Sequence, residues 1–462
     1  MENLSSKSQK FTAPEKILYA LAGALLGGMM WRARGSHGWG SEMGVFTVGL
    51  LVIVYIYAVF KRKTNASFFH MVAAALACVM TTPAWGTLLN QTSGYFEVSV
   101  KGDYDNAVNM WNCTPWSGVF IMLCLGFGMM PLFIFIVSRL FSDKKYSLLK
   151  YIIVAAVFFG TFYLANATVS HLILKLVQPE SAKALEWGLN FSEIKGSVYE
   201  VYMKHFADIN WAKKVPFGRN YFTEITVISH AIASLVTALA VRFGFKDKAG
   251  GKITFWGCVA FSVGITAANI FFVLKNKLGI EEHTWLGNAW SFWEFATGFI
   301  SVFILMIVLF AVNDKCPDTG IRDNLTPKLP EKVQDIFLCV FVFGLGFGYS
   351  TLAPLAERLD ESDIFPFIVY GVGGVAIVVL VVLMLTGKLP KVYKGDATVI
   401  APKMIPVLFG IHMFYYHLIG YTQECLPHVL EMDSIEIVML IALPLFYICY
   451  LPVKRKELFG RK

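Results

Sequence analysis

Apolar residues run along this chain in long blocks broken by short polar stretches, and the blocks are too long and too uniform for strands or soluble helices. A helix needs about 20 apolar residues to cross a bilayer core. By that measure the chain holds twelve candidate spans, at about 15–31, 43–60, 67–89, 117–138, 149–176, 222–242, 253–274, 292–312, 334–355, 364–386, 400–420 and 435–453. No run alternates with the period of a membrane barrel strand. The predicted fold is therefore an all-α polytopic membrane protein. The first apolar run ends in Trp31-Arg32-Ala33-Arg34-Gly35 rather than at a small-residue cleavage site, so it is read as a span and not as a signal peptide.

Composition agrees with that pattern. The 462 residues are 56% hydrophobic and only 16% charged, against roughly a quarter charged in soluble domains. The charges also orient the chain. With the N-terminus inside, the inner segments are the N-terminus, 61–66, 139–150, 242–252, 313–333, 387–403 and the C-terminal tail. With Asp335 at the inner end of span nine counted among them, they carry 27 Lys and Arg against 11 Asp and Glu, and the outer segments 13 against 21. Basic residues collect on the cytoplasmic side of membrane proteins, so both termini are placed inside, in a multi-pass protein of the cytoplasmic or plasma membrane. The net charge of +8 is then a topology signal facing the lipid bilayer, and calls for no nucleic-acid partner.

The two halves of the chain are weakly alike. Glu42 and Glu294 each open an even-numbered span after a tryptophan-bearing turn, Glu224 and Glu436 stand at matching places in spans six and twelve, and spans four and ten both carry close glycines. These matches predict two six-span halves, 1–242 and 243–462, as parallel repeats about an axis normal to the membrane. The largest outer segment, 178–221, mixes charge with aromatic residues and is expected to form one or two interfacial helices. In span number, orientation and parallel duplication this arrangement resembles the major facilitator transporters. The resemblance is one of organisation. The glycine-, aspartate- and arginine-bearing loop that those transporters place between spans two and three is replaced here by Lys61-Arg62-Lys63-Thr64-Asn65.

Candidate chemistry gathers at the outward ends. The stretch Trp31–Gly44, WRARGSHGWGSEMG, reads as a glycine-rich outer turn. In it Arg32 and Arg34 suit contact with a carboxylate, phosphate or sulfate, because the guanidinium fork pairs with planar anions. His37, Trp39, Trp285, Trp293, His412 and Tyr416 complete the predicted substrate-binding set. Glu42, Glu294, His283 and Glu424 are the candidates for ion coupling or acid–base work. Glu42 and Glu294 are expected in the first turns of their helices, where the dipole favours a carboxylate. Asn166, His230 and Asn269 are the mid-span polar groups. Cys113 and Cys425, the two outer cysteines, form a candidate disulfide between the halves in an oxidising space. No histidine spacing suggests a metal site, and no cofactor motif, nucleotide loop or hydrolase elbow is present.

Two functions fit these features. The first is a secondary transporter of a small polar or anionic solute, with an outward-opening cavity lined by Arg, Glu, His and Trp. The second is a membrane enzyme with an extracytoplasmic site that transfers or hydrolyses a group on a glycan or lipid-linked substrate. A third and weaker reading makes the 178–221 segment a receptor or assembly surface. The inner ends, by contrast, hold basic residues without a comparable set of His and Trp.

Overall fold

A computed structural model describes residues 10–36, 42–65, 70–78, 115–177, 218–271, 274, 289–323, 371, 375, 378–379, 382 and 434–458. Among the described residues every regular element is a helix. In chain order these are α1 (Ala13–Ser36), α2 (Glu42–Phe60), α3 (Pro115–Phe127), α4 (Pro131–Ser138), α5 (Leu148–Ala167), α6 (Val169–Val177), α7 (Gly218–Leu239), α8 (Lys248–Ala268), α9 (Ala289–Asn313) and α10 (Ser434–Leu458). Residues 70–78 are also helical. Among the described residues four helices are long and apolar enough to cross a membrane, or five when the bent pair α3–α4 counts as one. This architecture is compatible with a multi-pass membrane protein.

Local chemistry sets the helix ends. At the start of α1, the Thr12 amide donates to Glu15 Oε2 at 2.7 Å and the Glu15 amide approaches Thr12 Oγ1 at 3.5 Å, a reciprocal capping box. Asp247 caps α8, accepting from the Gly250 amide at 2.8 Å. The span expected over 117–138 is broken, with α3 and α4 meeting at 44° across Gly128–Met130. Pro131 explains the break, since it cannot donate to the preceding turn but suits a first helical position. A π-turn, Ala240–Gly244, ends α7.

The central seam is antiparallel, with α1 lying along α9, α9 along α8, and α10 on the other side of α1. Glycine makes the first contact possible. A Cβ on Gly298 would stand 2.3 Å from the Gly27 carbonyl oxygen, and one on Gly28 would stand 2.9 Å from that of Phe295. The two backbones therefore touch, as small residues permit between membrane helices. Ion pairs mark both ends of this seam: Lys16 with Asp314 at 2.5 Å, and Arg32 with Glu294 at 3.8 Å. About 24 Å of helix separates Lys16 from Arg32, close to the thickness of a bilayer core. The end at Lys16 is called the basic end below, and the end at Arg32 the tryptophan end. Elsewhere α5 turns Leu148, Leu149, Ile152, Ile153 and Leu164 outward, an apolar face suited to lipid.

Candidate functional site

At the tryptophan end the structure changes the reading of the first connection. Helix α1 continues through Ser36, so Arg32 and Arg34 belong to a helix and not to a glycine-rich turn. Positions two apart lie about 200° around a helix axis, so the two arginines do not share one face as a paired fork. Arg32 is buried, at 3% exposure. Its Nη1 lies 3.8 Å from Glu294 Oε2, an ion pair longer than a direct hydrogen bond.

Glu294 also differs from its expected place. Helix α9 begins at Ala289, not near 292, and no acid stands in its first turn. Glu294 sits in the second turn, so capping does not account for it. Trp31 and Trp293 flank this pair in sequence, and both are buried, Trp293 completely. They are interior groups, unlike the half-exposed Trp256, which suits an interfacial belt.

Glu42 is the first residue of α2, and Arg34 and Glu42 are placed here by their backbone alone. His37, Trp39, His283, Trp285, His412, Tyr416, Glu424, Cys113 and Cys425 lie outside the described residues, as does 178–217.

The middle of the bundle holds polar side chains that are absorbed by packing. His230 presents its ring edge-on to Phe162 and Phe158, with centroids 4.5 and 5.8 Å away. It also lies against Gly128 at the α3–α4 break. The Asn269 amide donates to the Ile265 carbonyl at 2.7 Å. Ser229, Ser234 and Thr237 donate to carbonyls one turn back in α7, the usual resort of hydroxyls inside helices. Glu224 of the same helix is fully buried.

The most elaborate polar construction is at the basic end. Arg139 has no exposed surface. Its Nη1 donates to Asp247 Oδ2 at 2.5 Å, while Nε and Nη2 both donate to the Asp323 carboxylate at 3.1 Å. Nη2 also donates to the Lys144 carbonyl, and the guanidinium lies 3.6 Å from the Tyr146 ring centroid. Asp323 accepts further from Tyr151 Oη at 2.6 Å and the Tyr146 amide at 2.7 Å, and His70 Nε2 lies 3.5 Å away. Burial opposes ionisation of Asp323, but the hydrogen bonds from His70, Arg139 and Tyr151 outweigh it. They hold the carboxyl well below the usual carboxylate range.

A second arginine works beside the first. Arg62 donates through Nε to the Leu140 carbonyl at 2.8 Å and through Nη1 to Asn313 Oδ1 at 2.9 Å. It reaches the carbonyls of Cys316 and Pro317 at 3.1 and 2.7 Å. Burial lowers its pKa from the ordinary arginine value, partly offset by Asp318. Asp318 in turn accepts from the Lys63 and Thr64 amides and from Thr64 Oγ1, at 2.7, 3.1 and 2.7 Å. Burial raises the Asp318 pKa, and these hydrogen bonds more than cancel the rise.

Asn65 ties both parts together. Its side-chain amide donates to the Arg139 carbonyl and its Oδ1 accepts from the Asp323 amide, both at 2.8 Å. Its φ of +51° is a left-handed conformation that Asn tolerates better than most residues.

Aromatic rings adjoin this polar layer. Phe11, Phe60 and Phe310 meet with centroids 4.9–5.8 Å apart, and Phe141 joins Phe60 at 5.1 Å beneath the Arg62 guanidinium.

Sequence reasoning missed this end because its loops read as solvated topology signals. A usable trace was present, since the basic segments 242–252 and 313–333 carry Asp247, Asp314, Asp318 and Asp323 against the charge bias. Among the described residues no cluster of His, Cys, Asp and Glu is arranged to hold a metal ion. The chain matches no protein-family model, no curated protein and no solved structure.

Proposed function

We propose that this protein is a secondary active transporter for a small anionic or polar solute, built from twelve spans in two six-span halves, 1–242 and 243–462, with both termini inside. The observation that carries the reading is the Arg32–Glu294 pair, a buried cation and a nearly buried acid set between helices of the two halves. Charges within apolar spans are costly and mark substrate or ion paths. In the proposed cycle an incoming anion takes the place of the carboxylate beside Arg32. Glu294 then becomes the group that takes up a proton or a sodium ion, so that solute and coupling ion enter together. Arg34, His37, Trp39, His283, Trp285, Trp293, His412, Tyr416, Glu42 and Glu424 remain the proposed surroundings of that position. The break between α3 and α4 supports the reading, since discontinuous helices are common where transporters bind and move.

Reconstitution tests it. Proteoliposomes under an imposed proton or sodium gradient are given a panel of radiolabelled small organic acids and sugar acids. Gradient-dependent accumulation, reduced at least about tenfold by Arg32→Gln, is expected. If no solute moves while the purified protein turns over a lipid-linked glycan, transport is excluded and the extracytoplasmic enzyme takes its place.

A further inference from the structure

At the connection between α7 and α8, positive charge without a partner meets exposed aromatic surface. Segment 242–252 carries Arg242, Lys246, Lys248 and Lys252 against one acid, Asp247. That acid is fully buried, and its carboxylate already accepts from Arg139, Ser142 and the Gly250 amide. Among the described residues none of these four cations forms an ion pair with a carboxylate, whereas Lys16 and Arg139 do. Arg242, Lys246 and Lys248 are exposed, and Lys252 is half-buried.

Apolar stripes run down to these cations on both helices. Leu235, Leu239 and Phe243, each four residues apart along α7 and its π-turn, are all exposed. Trp256 and Val263, seven apart and so on one face of α8, are exposed as well. Phe243 is 66% exposed and Trp256 47%, so the core uses little of either ring. The Arg242 guanidinium lies 5.6 Å from the Phe243 ring centroid. The backbone beneath is held firmly. The Phe245 amide donates to the Ala240 carbonyl at 3.0 Å and the Asp247 amide to the Val241 carbonyl at 3.1 Å. Gly251 lets the start of α8 lie directly on the Arg242 backbone, where a Cβ would stand 2.8 Å from both N and Cα. One cation-bearing turn therefore rests on the other.

We propose that this corner of the basic end binds an anionic phospholipid of the inner leaflet, with Arg242, Lys246, Lys248 and Lys252 around its phosphate and Phe243 and Trp256 beside its glycerol and upper chains. It rests on the membrane-spanning reading and is independent of any transported solute.

The spacing along α8 suits such a molecule. Lys252 stands about 6 Å before Trp256, and Lys248 about 12 Å. A phosphate at the level of the lysines leaves the indole at the boundary of polar and apolar regions, where tryptophan is enriched. Leu239 and Val263 then lie alongside the acyl chains. A free anion would use the cations and leave the apolar stripes without a role. A zwitterionic lipid would use the stripes but bring a cation of its own towards the four. An anionic lipid satisfies both, since basic segments beside membrane helices attract it and the Arg242 fork suits phosphate oxygens.

Native mass spectrometry of the full-length protein tests this. The protein in neutral detergent is titrated with phosphatidylglycerol or with phosphatidylcholine of the same chains, and bound lipids are counted. Phosphatidylglycerol is expected to bind at least about tenfold more tightly. Changing Arg242, Lys246, Lys248 and Lys252 together to Gln should abolish that preference, and Trp256→Ala should weaken both lipids about threefold or more. A control that changes Lys63, Lys144, Lys145 and Lys315 to Gln removes the same charge from the same end and should keep the preference. Equal loss in the two fourfold variants would mean diffuse surface charge and overturn the site, as would equal binding of the two lipids by the parent. Inorganic phosphate, compared with chloride at equal ionic strength, should not displace the lipid. Displacement would make this a free-anion site and overturn the lipid. If the fourfold variant does not fold, Lys246→Gln with Lys248→Gln decides, with an expected loss of about threefold or more in phosphatidylglycerol affinity. The same lipid preference in a protein that moves no solute would keep this inference and remove the transport reading.

Discussion

The two ends of the α1–α9 seam solve the problem of buried charge in opposite ways. At the basic end Arg139 gives donors to two carboxylates and a carbonyl, and Asp323 accepts from Arg139, a tyrosine hydroxyl and a backbone amide. At the tryptophan end Arg32 and Glu294 meet at 3.8 Å. The charges of the basic end meet within direct hydrogen-bond distance, whereas the Arg32–Glu294 contact is longer than a direct hydrogen bond. The difference separates a bonded polar layer from the longer ion pair on which the proposed solute contact rests.

Arg139→Gln should have the largest effect on stability. It leaves Asp247 and Asp323 buried without their cation, a change worth about 3–5 kcal/mol, and is read as a lower melting temperature of the purified protein. Arg139→Lys should rescue little, since one ammonium cannot reproduce the three-way fork. A variant that melts like the parent would erase the distinction between the ends.

Acid should act on the same end. Asp323 and Asp318 both have depressed carboxyl pKa values when folded. Their stabilisation is therefore complete above the unfolded value of about 3.9 and is lost as pH falls towards the folded values. Melting temperature should hold near neutrality and drop only below about pH 4 from this source. Asp323→Asn should lower the plateau and flatten the drop. A decline that begins near pH 6 would point to histidine instead.

Gly298→Ala probes the seam between the ends. Its new Cβ would collide with the Gly27 carbonyl, at a cost of about 1–3 kcal/mol. It should reduce stability, read as a lower melting temperature of the purified protein. Arg32→Gln should cost less stability, about 1–2 kcal/mol, because its partner keeps some access to solvent, at 12% side-chain exposure. Its main consequence should be lost anion affinity. A stability loss equal to that of Arg139→Gln would recast the pair as structural.

The smallest effect is a difference between two variants of Asn65, both of which lose its two buried hydrogen bonds. Asn65→Ala should be worse than Asn65→Gly by about 1 kcal/mol, because only glycine keeps the left-handed angle without strain.

Much of the helical framework was legible residue by residue. The apolar runs anticipated α2, α7, α9 and α10 to within about five positions, whereas the run 149–176 divides into α5 and α6 and α8 lies five to six positions earlier than the run 253–274. The functional reading of Trp31–Gly44 was less secure. The same residues that looked like a glycine-rich turn carry α1 on to Ser36, which moved Arg32 from a loop to the wall of the bundle. Glu294 moved likewise, from a helix end to a second turn. Asp323 and Arg139 were invisible as a pair. Each looked like one more charge in a loop, and nothing local says that a carboxylate in a basic segment will be buried.

Sequence by itself determined the apolar helices and the asymmetric distribution of charge, because bilayer and water act on each segment separately and need no knowledge of its neighbours. Tertiary structure alone decided which charges meet. That outcome depends on how close two backbones can come at Gly27 and Gly298 and on the register this contact imposes. In that register Lys16 faces Asp314 at one end and Arg32 faces Glu294 at the other.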